Sequence, residues 1–143
     1  MAIVQSPHPS VPLTGQTTTE RLFADLATRP DEAVLIDGPT GRAMTARAFM
    51  EGVAALAGGL AARGQGPGRV TALMAPNCPR FALAFHGILY AGGTVTTVNP
   101  TYKAEELNHQ LSDSGATLLI TIPAFLETAR EGAKGTGVTE IVT

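Results

Sequence analysis

The chain has 143 residues, of which 44% are hydrophobic and 15% charged, enough for one domain with its own core and too apolar for an intrinsically disordered chain. Ten Lys and Arg stand against twelve Asp and Glu, a formal charge of −2, and no basic cluster occurs, so the footprint of a nucleic-acid binder is missing. The lone cysteine excludes an internal disulfide and a Cys-rich zinc site.

Residues 1–17 are rich in Pro, Ser and Thr without periodicity, and an extended N-terminal arm is expected. That stretch lacks a basic segment followed by a long apolar one, so no secretion signal is expected. The longest small or apolar run, Val53 to Ala62, is well short of the ~20 residues that span a bilayer. A cytoplasmic location without membrane or nucleic-acid partners is the expectation.

Residues 18–143 then alternate in type. Leu22, Phe23 and Leu26 fall at helical spacing behind Thr18 or Thr19, either of which suits the N-cap. "EAVLID", the turn "GPTGR" and "AMTA" predict a small β-hairpin. Phe49, Val53, Leu56 and Leu60 form one stripe of a longer helix that stops at "RGQGPGR". "VTALMA" reads as a buried strand. "RFALAFHGILYAGG" reads as a helix with Pro79 in its first turn, where a missing N–H costs nothing. "TVTTV" is a second strand, and "KAEELNHQLSDSG" a helix with Ala104, Leu107 and Leu111 inward. "ATLLIT", "PAFLETAREGAK" and "TEIVT" complete the series as strand, helix and strand. Crossovers of this length predict an α/β fold: a mostly parallel sheet flanked by helices, with a small N-terminal hairpin.

Most chemistry-bearing residues have plain structural readings. Cys78 with His86 would be a nucleophile and base, but eight residues along one helix rise about 12 Å, too far for a hydrogen bond. A small residue near a helix start, with Asn77 or Cys78 as its cap, accounts for the position. Gly64, Gly66 and Gly68 resemble a phosphate loop only superficially, because they close a helix before a strand instead of following a strand into a helix. Lys134 in "GAKGTGVTE" fails the same test. His8, His86 and His109 share neither a loop nor an i, i+4 pairing, so no metal site is expected. Glu105 and Glu106 suit the first turn of a helix through its dipole. The turns after the strands hold more promise: 75–78, 99–102 and 122–125. In open parallel sheets ligands bind at such ends, near topological switch points. Of the three, "NPTY" carries both a rigid proline and an aromatic able to line a pocket.

Three passages, Met44 to Leu60, "APNCPRF" and "YAGGTVTTVNPTYKAEEL", resemble the start of adenylate-forming enzymes. The similarity is to the acyl-CoA synthetase branch, above all 4-coumarate–CoA ligase-like enzymes, and runs over roughly residues 18–143. Asn99-Pro100, where peptide-synthetase adenylation domains usually carry an aspartate, favours the CoA-ligase branch. The resemblance implies a two-step reaction. A carboxylate attacks the ATP α-phosphate with Mg²⁺ assisting, and CoA thiol then displaces AMP to give a thioester. It also implies that 18–143 is the first, truncated part of the AMP-binding domain. The phosphate loop, ribose-binding aspartate and catalytic lysine of relatives lie further downstream.

The expectation is therefore an N-terminal fragment of an ATP-dependent carboxylate–CoA ligase acting on an aryl, cinnamate-like or fatty acid. By itself it would be inactive, hold no catalytic or metal-binding residue and bind ATP, Mg²⁺ and CoA only loosely. Its partner would be the remainder of the same ligase, with self-association through exposed sheet edges. The resemblance places Asn99 and Tyr102 at the mouth used by CoA and the acyl group, and Cys78 where relatives often carry a small residue. The alternative is a self-contained α/β module that binds a nucleotide, CoA or a protein. A module of that kind should blunt its sheet edges, and the terminal strand "TEIVT" reads as bare.

Overall fold

The computed structural model describes residues 5–12 and 15–143. Of the expected arm, residues 1–4 and 13–14 lie outside the described residues, and 5–12 are exposed, with neither helix nor strand.

Helix α1 (Thr18–Leu26) begins at a reciprocal cap on Thr17, ahead of both expected threonines. The Thr17 hydroxyl accepts the Glu20 N–H at 3.2 Å, and the Glu20 carboxylate accepts the Thr17 N–H at 2.7 Å. Strands β1 (Ala33–Ile36) and β2 (Ala43–Thr45) form the antiparallel hairpin, with a register irregularity between Ala33 and Leu35. Helix α2 (Ala46–Ala62) follows directly, Thr45 accepting the Ala48 N–H as its cap. It buries Phe49, Val53 and Leu60 as the stripe requires, but Ala46 and Ala57 complete the inner face and Leu56 is only partly covered. These elements close a first core: Leu26, Ala46, Phe49 and Val53, rimmed by Leu22, Phe23, Val34, Leu35 and Met44.

Four strands form the main sheet: β3 (Val70–Met74), β4 (Thr94–Val98), β5 (Leu118–Ile120) and β6 (Glu140–Val142). All neighbouring pairs are parallel, in the order β4-β3-β5-β6. Strand pleating sends alternate residues to opposite faces. Leu73 and Leu118 therefore join Leu60, Ala84 and Ile88 beneath α2 and α3 (Pro79–Tyr90). Ala72, Met74 and Leu119 instead meet Leu107, Leu111 and Ala129 beneath α4 (Ala104–Ser114) and α5 (Leu126–Gly132). A short 3₁₀ turn, Pro123–Phe125, leads into α5. Helix α4 stops at Gly115, whose φ of 65° is the left-handed conformation glycine adopts without penalty. Of its three expected inward residues, Leu107 and Leu111 are fully buried, while Ala104 is half-covered. The α/β architecture, its parallel sheet, flanking helices and N-terminal hairpin are those the sequence predicts.

The strand order also sets the site. Chain connections leave β3 toward β4 and leave β5 toward β6. The winding direction thus reverses between β3 and β5, the switch point of the sheet.

Candidate functional site

The carboxyl ends of β3 and β5 sit side by side at the switch point. Thr121, just past β5, is buried; its hydroxyl donates to the Met74 carbonyl at 2.8 Å, and its N–H donates to the Val142 carbonyl at 2.9 Å. One threonine thereby fixes the ends of three strands. The backbone then diverges: after β3 the chain turns through residues 75–78 into α3, and after β5 through Ile122 into the 3₁₀ turn.

Cys78 occupies the N-cap of α3 in extended conformation, with no bond from its side chain, and Pro79 supplies the first helical residue. Its half-buried thiol borders a groove of about 360 Å³ between the hairpin and α3, together with Asp37, Arg42, Met44 and Arg80. His86 is turned elsewhere. Its Nδ1 lies 3.1 Å from Thr19 Oγ1, and Phe49 and Phe85 meet its ring edge-on. Burial holds the imidazole below its ordinary pKa. His109 is exposed on α4, across the sheet from α3. The three side chains that could have formed a nucleophile–base pair therefore occupy three separate environments. The Thr19–His86 pair does join a hydroxyl to an imidazole, yet Thr19 is only 1% exposed, so no substrate reaches it.

Asn99 and Tyr102 follow β4, the edge strand, one strand away from the switch point. The Asn99 carboxamide oxygen accepts from the Thr101 N–H at 3.0 Å and hydroxyl at 2.9 Å, and the Tyr102 N–H donates to the Asn99 carbonyl at 3.1 Å. That oxygen is thus committed to shaping the turn around Pro100. Tyr102 packs one side against the α4–α5 core. Its other side opens on a groove of about 570 Å³ along α4, bordered by Glu105, Glu106, His109, Gln110 and Asp113. Glu106 accepts the Lys103 N–H at 2.9 Å, the reciprocal half of a helix cap. Gln110 reaches back to β4, donating to Thr96 Oγ1 at 2.9 Å and the Thr97 carbonyl at 3.0 Å.

Among the described residues, no three His, Cys, Asp or Glu side chains converge as a metal cage would need. The sheet end thus presents main-chain groups and strand ends tied by Thr121, and a groove bordered by Tyr102 runs along α4. Sequence reasoning reached the three turns but missed Thr121, whose role depends on β3 and β5 being neighbours. It also missed Gln110, whose role depends on α4 lying against β4.

The family model described as AMP-binding enzyme matches residues 22–142. The chain is 35% identical over 122 residues to 4-coumarate–CoA ligase 3 of Oryza sativa subsp. japonica, covering 85% of this chain and 22% of that protein. It is 37% identical over 123 residues to a long-chain-fatty-acid–CoA ligase of Salmonella typhimurium, again 85% of this chain and 22% of the relative. In fold it is similar to a long-chain-fatty-acid–CoA ligase from Archaeoglobus fulgidus, with a TM-score of 0.87 at 22% identity over 96% of this chain and 29% of that one. A benzoate CoA ligase from Burkholderia xenovorans LB400 superposes with a TM-score of 0.80 at 25% identity, over 87% of this chain and 25% of that one. The chain thus spans about a fifth of the length of these curated relatives.

Proposed function

The chain belongs to the AMP-binding enzyme family, and we propose that it is the N-terminal portion of an ATP-dependent carboxylate–CoA ligase, contributing sheet scaffold and part of the ligand-facing edge. The observation that carries this reading is the β3/β5 switch point, joined by Thr121 and flanked by two loops that offer backbone groups, with Cys78 at the start of α3 as their one thiol. That surface suits a reaction in which the substrates, ATP and CoA, bring the reactive atoms and the protein positions them.

In this reading the acid first becomes an acyl-adenylate with release of pyrophosphate, and the CoA thiol then displaces AMP. The relatives that match act, by their names, on 4-coumarate or long-chain fatty acids; an aryl, cinnamate-like or fatty acid is the substrate class proposed here. The Mg²⁺ that accompanies ATP finds no cage among these residues, so none of them is assigned to it. Asn99 shapes the turn after β4, and Tyr102 supplies an aromatic wall for the arriving CoA or acyl chain.

The decisive experiment uses a longer protein that contains this chain. ATP–pyrophosphate exchange dependent on cinnamates or fatty acids, followed by thioester formation with CoA, is expected. Absence of exchange with every carboxylic acid class would overturn the ligase reading. The 143-residue chain alone is expected to show no exchange and no tight binding of ATP·Mg or CoA by calorimetry. Replacing Tyr102 with alanine in the longer protein should raise the KM for CoA or for the acid. Unchanged values for both would remove Tyr102 from the site.

A further inference from the structure

Strand β4 is the outer strand of the main sheet on the side away from β6. It runs parallel to β3 in unbroken register, from Val70 opposite Thr94 to Met74 opposite Val98. The Thr94 N–H donates to the Arg69 carbonyl at 2.9 Å. Main-chain groups alternate in direction along a strand, so Thr94, Thr96 and Val98 turn theirs toward β3, while Val95 and Thr97 turn theirs outward. Such an open edge is ordinarily blunted by a charge, a proline or a bulge. The sequence Thr-Val-Thr-Thr-Val has none of the three.

One side chain covers the edge instead. Gln110, from α4, donates to the Thr97 carbonyl at 3.0 Å and to Thr96 Oγ1 at 2.9 Å. The carbonyl it holds is the one that self-pairing needs. When two copies of β4 meet antiparallel about a two-fold axis at Thr96, Val95 of each stands opposite Thr97 of the other. Residues facing each other in this way exchange both N–H···O bonds. One bond of each pair ends on a Thr97 carbonyl, and Gln110 already occupies it.

We propose that Gln110 is an edge guard: by holding the Thr97 carbonyl, it keeps β4 from pairing with β4 of a second copy. A second copy is the occupant this edge fits, because the stretch centred on Thr96 is complementary to itself in that register and carries no charge. The two-fold axis stands perpendicular to the sheet and brings both α4 helices onto one face. Glu105, Glu106 and Asp113, which border the groove along α4, then add like-charge repulsion that salt screens.

Sedimentation and amide exchange of the whole chain over a range of protein concentrations test this, at about 1 M salt, where charges are screened within about 3 Å. In the parent, the Val95 and Thr97 amides should exchange freely at every concentration. In Gln110→Ala the mass should double as concentration rises, and both amides should gain protection in step. Adding Thr97→Pro removes an N–H that β3 does not use, and it should return the variant to a monomer. Should the alanine variant fail to fold, Gln110→Asn, a methylene too short to reach Thr97, takes its place. A variant whose Val95 and Thr97 amides stay open at high concentration, whatever its mass, overturns the proposal. Concentration-dependent protection of the same amides in the parent overturns it equally.

Discussion

On the α4–α5 side of the parallel sheet, Leu107, Leu111, Ala116, Leu119 and Ala129 are all completely buried. The unit of α1, the hairpin and α2 has a smaller center, Leu26, Ala46, Phe49 and Val53, and a wide rim of half-covered Leu22, Phe23, Val34, Leu35 and Met44. It adds local polar ties: the Thr17–Glu20 cap, the Asp25–Arg29–Glu32 ion pairs, an Arg47–Asp31 pair and the Thr19–His86 contact. The sheet half rests on the larger packed core and carries its own exposed ties, among them the Lys134–Glu131 pair and the Glu106 cap. In the N-terminal half similar ties, each worth at most about 1–2 kcal/mol, stand beside a smaller core, so single polar changes weigh more there.

The largest effect that tests this contrast is Leu107→Ala. Leu107 is wholly buried between α4 and the sheet, and its truncation should cost about 3–4 kcal/mol, read from the urea midpoint of the chain. Leu22→Ala, on the half-covered rim of the other core, should cost about 1 kcal/mol, the lesser loss of a partly exposed side chain. Equal losses would break the comparison. Gly132→Ala follows. A Cβ there would sit 2.7 Å from Leu107 Cδ2 and 3.0 Å from the Ala104 carbonyl. Because one of those neighbours is backbone, α4 and α5 must separate, at about 2 kcal/mol.

How far these distinctions could be read from the sequence differs by level. Element types and order were legible, because the strands after residue 69 are short β-branched or leucine-rich runs and the helices carry clear stripes. The inner face of α2 was legible only in its large residues. Ala46 and Ala57 are small enough to lie on any face, so their burial left no mark in the pattern. The cap of α1 was expected at Thr18 or Thr19, but of the three consecutive threonines only Thr17 stands three residues before Glu20, as the reciprocal cap requires. Strand order is a tertiary property that no local period encodes. The sequence thus singled out the turn after β4, while the winding reverses between β3 and β5. Thr121 acquires its role only through that neighbourhood, and Gln110 only where α4 lies against β4.

Thr121 offers a test of a polar tie inside the packed half. Thr121→Val keeps the shape but removes the donor to the Met74 carbonyl, a bond in a buried setting. The expected loss is about 1–2 kcal/mol, with the amide of Thr121 itself remaining protected by its bond to Val142. A loss as small as that of a surface substitution would mean that the three strand ends are fixed by backbone bonds alone.

A still smaller change belongs to the N-terminal half. Thr17→Ala removes one side of the α1 cap and should cost about 1 kcal/mol. The Thr17 N–H and hydroxyl hold the Glu20 carboxyl below its ordinary value of 4.5. The cap is therefore fully present above that value and is lost as pH falls through the lower folded one. Between pH 6 and 3, helicity at 18–26 should decline in the parent chain. In Thr17→Ala it should start lower and decline less. Parallel declines would show that α1 loosens in acid for some other reason.

The smallest effect is expected where the two halves meet, at Cys78. The thiol borders the groove between the hairpin and α3, yet it makes no capping bond although it stands at the N-cap. Serine has nearly the same volume, and its oxygen is a far better acceptor for the free N–H groups of the first turn. Cys78→Ser should therefore leave stability unchanged or raise it by up to about 0.5 kcal/mol, a shift in melting midpoint of a few degrees at most. In a longer active protein it should leave the rates of adenylate and thioester formation as they were. A large loss of either rate with stability intact would reassign the thiol from helix start to chemistry. A large loss of stability would mean that the junction depends on sulfur packing, and the two halves would then be less independent than their separate cores imply.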